Sequence, residues 1–149
     1  MTTTRGWQVG DTLTEFVDDP LTATDIVRYQ GASGDFTSFH HDEAVARAAG
    51  YPSVFSVGML QAGILGTYVA ETFGPESVRR FGVRFDAQVW PGDVLTYRGR
   101  VVAAEDRSDG RAVDLELSVD RQNGTTHITG WATVLLLHGP GPEGRTHHG

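Results

Sequence analysis

The hydrophobic period of this 149-residue chain changes at Gly74-Pro75, and that change limits the folds open to it. From about Gly58 to Phe73, Met59, Ala62, Gly63, Leu65, Gly66, Val69, Ala70 and Phe73 recur at helical spacing and make an apolar surface wider than an ordinary amphipathic stripe. Beyond Pro75 the period is two. Phe81, Val83, Phe85, Ala87 and Val89 alternate with Arg80, Gly82, Arg84, Asp86 and Gln88, the pattern of a half-buried strand. Leu95, Tyr97, Gly99 and Val101 form a second run, Val113, Leu115, Leu117 and Val119 a third, and Ile128, Gly130, Ala132, Val134 and Leu136 a fourth. Turns at Pro91-Gly92-Asp93, Asp106 to Gly110 and Asn123-Gly124 separate them, the last a strong hairpin signal. A sheet with one apolar face needs a cover, and only the Gly58–Phe73 segment is hydrophobic enough to supply it. The expected class is α+β, an antiparallel sheet wrapped around a long central helix. That helix should be nearly surrounded. Gly63 and Gly66 each cost it about 1 kcal/mol relative to Ala, which predicts close packing there.

The N-terminal half carries the chemistry-bearing side chains. Val9 to Val17 reads as a turn and a short edge strand, broken by Asp19-Pro20. A short helix follows, with Thr22 as N-cap, Asp25 completing a capping box, Ile26, Val27 and Tyr29 as its apolar side, and Gly31 and Gly34 as its end. A second runs from about Asp42 to Ala49, capped by Asp42 and stopped by Gly50 and Pro52. Asp35 and His40 hang between the two. Five residues apart on one continuous helix they would diverge by roughly 140°. Gly34 and the intervening Phe-Thr-Ser instead predict a turn that aims both into one cleft, where they can act as an acid/base pair. A single curved sheet leaves exposed edges, so pairing with a second copy or a related subunit is expected.

Composition removes several alternatives. All twelve basic residues are Arg, and Lys and Cys are absent, which excludes Schiff-base chemistry, thiol nucleophiles, disulfides and Cys-ligated metals. A formal charge of -7 without clustered basic residues argues against nucleic acid as partner. The N-terminus lacks the apolar core of a signal peptide, and the apolar segment near residues 57 to 70 is too short to span a bilayer, so a cytoplasmic, non-membrane protein is expected. One domain over residues 1–149 is expected, with a flexible tail from about 138 to 149 in which His147 and His148 are at most a weak metal lure. His40-His41-Asp42 lacks an evident fourth ligand, so no metal is assigned; His41 reads as exposed and Asp42 as a cap. Tyr29, Phe36, Phe39 and Phe55 read as wall and core, and Arg79, Arg80 and Arg84 as a solvated strand face.

Asp35-Phe-Thr-Ser-Phe-His40, Gly58-Met59 at the head of an apolar helix, and Phe85-Asp-Ala-Gln-Val-Trp-Pro91-Gly92-Asp93 together resemble the MaoC-like, or (R)-specific enoyl-CoA hydratase, group of hot-dog-fold proteins. The resemblance covers about residues 8 to 137. It implies dimeric assembly, no cofactor, and reversible hydration of a trans-2-enoyl thioester of CoA or acyl carrier protein to the (3R)-hydroxyacyl product. Asp35 and His40 match the family's catalytic positions, and the amide of Gly58 matches one that helps hold the thioester carbonyl. A helix N-terminus suits that task, because its free N–H groups face developing negative charge. The motif departs from the family at Thr37 and Ser38, where Asn and Pro are usual, at Val57, where His is usual, and at Gly66, where a hydroxyl is frequent. These departures predict a looser loop and room at Gly66 for a bulkier acyl group. Two alternatives share the fold: a hot-dog acyl thioesterase, and one subunit of a heteromeric hydratase acting on a bulky acyl-CoA.

Overall fold

The computed structural model describes residues 6–138, so most of the expected tail, including His147 and His148, lies outside the described residues. Five strands, β1 (Phe16–Val17), β2 (Val78–Phe85), β3 (Leu95–Asp106), β4 (Gly110–Arg121) and β5 (Thr126–Leu137), form one antiparallel sheet in the order β1-β3-β4-β5-β2. Three helices accompany it, α1 (Ala23–Ser33), α2 (Glu43–Ala48) and α3 (Gly58–Phe73). The sheet packs on α3, as its alternating pattern requires. Leu95, Tyr97 and Val101 of β3, Val113 to Val119 of β4 and Ile128, Ala132 and Val134 of β5 pack against Ala62, Leu65, Val69 and Phe73.

Local chemistry sets the helix ends. Thr22 caps α1 in a full capping box with Asp25, and Asp42 accepts from the Val45 N–H to cap α2. Gly31 lies inside α1 rather than ending it. The stop is Gly34, whose φ of 75° only glycine adopts without strain. Val27 is exposed, and the buried side of α1 is Ile26 with Gln30.

Three sequence expectations change in ways that matter for the site. First, β2 does not form a hairpin with β3. The chain leaves β2 at Phe85, crosses through 86–94 to the far side of the sheet, and β2 pairs only with β5, from Val78 opposite Val134 to Phe85 opposite Ile128. As an edge strand it is more exposed than half-buried: Phe81 and Phe85 are 39% and 47% exposed. Ala87 and Val89 belong to the crossover, where Val89 is fully buried. Second, α3 is covered on one side only. Met59, Gly63 and Thr67, spaced four apart, lie on an open face. Nothing approaches Gly63, and a Cβ at Gly66 would meet the Phe81 ring only at an ordinary 3.8 Å, so the close packing expected at these glycines is not found. Third, the Asn123-Gly124 turn is not the two-residue type, since only glycines have positive φ. Gly124, with φ 84°, donates to the Arg121 carbonyl at 2.9 Å, closing a three-residue loop.

The register behind that loop slips by one. Val119 faces Ile128 while Asp120 faces Thr126, so His127 is the extra residue of a β-bulge. The crossover is fastened by Asp93. Its carboxylate accepts from the Trp90 N–H and from Arg121 and Gln122 side chains at 2.8 to 3.0 Å. Burial raises the Asp93 carboxyl, but the bonds from Arg121, Trp90 and Gln122 outweigh it and hold the group below its ordinary value.

Candidate active site

A cavity of about 310 Å³ opens at the N-terminus of α3. Asp35, His40 and Gly58, the three residues singled out in the sequence, all line it. The turn after α1 brings them there. Gln30, buried on α1, donates through Nε2 to the carbonyls of Asp35 (2.9 Å) and Thr37 (3.2 Å), and so pins the loop from beneath. Thr37 then holds the Asp35 carboxylate with its hydroxyl at 2.7 Å and its N–H at 3.2 Å. Gln30 and Thr37 thus tie the loop, Thr37 from a position where the family usually has Asn. Donation by Thr37, hydroxyl first, keeps the Asp35 carboxyl below its ordinary value, with a smaller contribution from His40. Asp35 is an ionised acceptor at neutral pH.

His40 closes the short 3-10 turn Ser38–His40. Its Nδ1 lies 2.8 Å from the Phe55 carbonyl, an acceptor only, so the proton of the neutral ring sits on Nδ1 and Nε2 carries the lone pair. The ring stands edge-on to Phe55 at 5.1 Å, and Phe55 packs with Phe39, Tyr51 and Trp90. Phe55 lines the cavity, as expected, and Phe39 stacks on Phe55 without lining it. Phe36 is not wall, being 67% exposed. His41 bonds to Gln30 and is exposed, and among the described residues no three His, Cys, Asp or Glu are placed to hold a metal.

The third element is the start of α3. Ser56 donates its N–H to the Val89 carbonyl at 2.9 Å, fixing the approach to the helix. Val57 occupies the N-cap without any side-chain cap, and while the Leu60 N–H donates back to the Val57 carbonyl at 2.9 Å, the Gly58 and Met59 N–H groups are left for a ligand. Packing within the chain requires glycine at 58. A Cβ there would fall 2.7 Å from the Phe85 ring, so the last aromatic of β2 occupies the space a side chain would take.

Two residues of the cavity wall escaped sequence reasoning. Asp86 belongs to the alternating polar face by pattern, yet it ties the crossover by bonds to Arg84 and Thr129 at 2.8 and 2.6 Å. Those bonds, Thr129 first, hold its carboxyl below the ordinary value. His127 should point outward by strict alternation, and only the bulge turns it in. Gln30 could have been found, as a polar residue on the otherwise apolar side of α1. A larger depression of about 380 Å³ lies on the outer face of the sheet, lined by Glu15, Arg98, Arg100 and Glu116. Arg98 there is paired with Glu15 and Asp120, and no acid/base pair faces it.

Known proteins resemble the chain in sequence and in fold. The beta subunit of the 3-oxo-4,17-pregnadiene-20-carboxyl-CoA hydratase of Mycobacterium tuberculosis is 31% identical over 84 residues, which cover 56% of this chain. The match spans 65% of the length of that curated relative. A chain in the crystal structure of the ChsH1-ChsH2 complex from Mycobacterium tuberculosis matches with TM-score 0.75 and 25% identity, over 87% of this chain and 98% of that one. The (R)-hydratase from A. caviae involved in PHA biosynthesis matches in fold, with TM-score 0.76 and 23% identity over 89% of this chain and 98% of its own. The sheet wrapped on α3 is thus the hot-dog fold. The MaoC like domain model matches residues 6–123, most of the described chain, and the chain belongs to the MaoC-like family.

Proposed function

We propose that the chain catalyses the reversible addition of water to a trans-2-enoyl thioester, giving the (3R)-hydroxyacyl thioester, with Asp35 and His40 as the acid/base pair and Gly58 at the thioester carbonyl. The observation that carries this is the convergence of a carboxylate, an imidazole with a free Nε2 and an uncapped helix start on one cavity. Two acceptors, the Asp35 carboxylate and His40 Nε2, can each take one O–H of a single water, leaving its oxygen lone pair free to attack C3. The bonds from Thr37 favour ionised Asp35 and make it the poorer proton acceptor, so the water's proton passes to His40 Nε2. His40 then returns it to C2, on the face from which the oxygen came. Negative charge that builds on the thioester oxygen meets the N–H groups at the start of α3. Every step reverses, so the same groups dehydrate a 3-hydroxyacyl thioester.

The dimer belongs to this proposal. Phe85 of the open β2 edge and Met59 of the open α3 face both line the cavity, so a partner seated on that side completes the wall. The partner is a second copy or a related subunit. The relative named as a hydratase beta subunit supports the second form, and with it a bulky acyl-CoA as substrate.

The test follows loss of enone ultraviolet absorbance with crotonyl-CoA and with a bulkier 2-enoyl-CoA, alongside native mass measurement. Asp35→Asn and His40→Gln should each lower the rate by about 10²- to 10⁴-fold with folding intact. Enone loss that survives both substitutions would overturn the assignment. Release of free thiol in place of hydration would indicate the thioesterase.

A further inference from the structure

His127 is 2% exposed, lines the cavity, and sits in β5 at the one residue the register leaves over. The bulge turns its side chain inward beside Ile128, and its own carbonyl accepts the Asp86 N–H at 2.8 Å, joining strand and crossover. The ring does the same from its other side: Nδ1–H donates to the Ala87 carbonyl. With the proton fixed on Nδ1, Nε2 is a lone-pair acceptor, and none of the described residues donates to it. Buried polar atoms of a native protein have partners, and leaving one without costs more than a bond contributes. Gln61 Oε1 and Tyr97 OH are also unpartnered, but neither lines this cavity. The missing donor for His127 therefore belongs to what occupies the cavity.

We propose that His127 is a specificity-determining residue whose Nε2 accepts a hydrogen bond from a donor on the bound thioester ligand. The inference rests on the thioester reading given above. Two parts of such a ligand carry donors, the amide N–H groups of the pantetheine arm and a hydroxyl on the acyl group, and both present the same chemistry to the nitrogen. Burial disfavours the charged ring and holds its pKa below the ordinary value, despite the Ala87 bond and nearby Asp86 acting the other way, so the acceptor survives into mildly acidic solution. His127 touches no reacting atom in this scheme. It selects and seats the ligand, while Asp35 and His40 perform the proton transfers.

The decisive experiment uses the full chain with ring-15N-labelled histidine. Binding of butyryl-CoA, where the donor is the pantetheine amide, or of 4-hydroxybutyryl-CoA, where it is the acyl hydroxyl, neither of which can be hydrated, should shift the His127 Nε2 resonance and leave Nδ1 in place, whether or not the chain turns over enoyl thioesters. Failure of the hydratase reading is thereby separated from failure of this one. Kinetically, His127→Asn keeps a side-chain N–H where Nδ1–H meets Ala87 and removes the distal acceptor, whereas His127→Gln restores an acceptor near Nε2. With the amide as donor, His127→Asn raises KM for crotonyl-CoA about ten- to hundredfold with kcat little changed, His127→Gln recovers much of it, and the S-ethyl thioester is indifferent. With the acyl hydroxyl as donor, only 4-hydroxybut-2-enoyl-CoA responds. An Nε2 resonance unmoved by butyryl-CoA and 4-hydroxybutyryl-CoA alike would overturn the proposal and assign the nitrogen to a permanent internal water.

Discussion

The two faces of α3 are built from the same kind of residue and meet different fates. Toward the sheet, Ala62, Leu65, Val69 and Phe73 are packed by β3, β4 and β5, and glycines on the facing strands exist to allow the approach: a Cβ on Gly130 would come within 3.1 Å of Leu65. Away from the sheet, Met59 and Gly63 face open space, with β2 and its exposed Phe81 and Phe85 alongside. The sheet's edges repeat the contrast. β1 is two residues long, too short to recruit another strand, whereas β2 offers eight. One side of the molecule is complete within a single chain. The other leaves apolar side chains exposed, and the cavity lies at the border between them.

Substitutions on either side test that difference. The largest effect belongs to the packed face: Leu65→Ala, at a site with no exposure, should lower unfolding stability by about 2–5 kcal/mol in urea titrations of the isolated chain. Gly63→Leu should act in the opposite sense on folding and against assembly. No atom obstructs the new side chain and helix propensity rises by about 1 kcal/mol, yet the open face is blocked, so sedimentation should show at least about tenfold weaker self-association or subunit pairing. Undiminished assembly would place the partner elsewhere. The smallest effect separates what the chain supplies to the cavity from what a partner must supply. Thr37→Val removes the hydroxyl donor, the larger of the two Thr37 contributions that favour ionised Asp35, so its carboxyl 13C titration should move up toward the ordinary value even in the isolated chain. The linkage runs the same way. Stability contributed by Asp35 ionisation is present above the unfolded carboxyl value and is lost as pH falls through the lower folded one, so wild type and variant should differ at neutral pH and converge in acid.

Much of this was legible from local chemistry. The α3 boundaries follow from Gly58 and Gly74-Pro75, the caps from Thr22 and Asp42, and the inward faces of β3, β4 and β5 from strict alternation, because each signal is complete within a few residues. The Asp35–His40 pair was legible too, since Gly34 interrupts the helix that would have separated them. What alternation could not give was partner choice. Arg80 to Phe85 reads equally well as a central or an edge strand, and only the crossover through Val89 and Asp93 decides that β2 pairs with β5. Nor does a period-two pattern announce a bulge: His127 occupies an outward position until one extra residue is counted against β4. The expected enclosure of α3 failed because hydropathy records how apolar a segment is, not how much of it the rest of the chain covers.

The crossover between β2 and β3 also dictates a sequence of events. The strands β3, β4 and β5 are joined by short turns and can pair as soon as they are made, but β2 precedes them in the chain and must wait for β5, the last strand, before it has anything to pair with. Non-local pairings of this kind form late, after the local ones have met their loop-closure cost. Phe85 reaches Gly58, and Asp86 and Ala87 reach His127, only when β2 docks. The cavity wall therefore depends on the docking of β2, so a chain can hold most of its secondary structure and still lack the cavity.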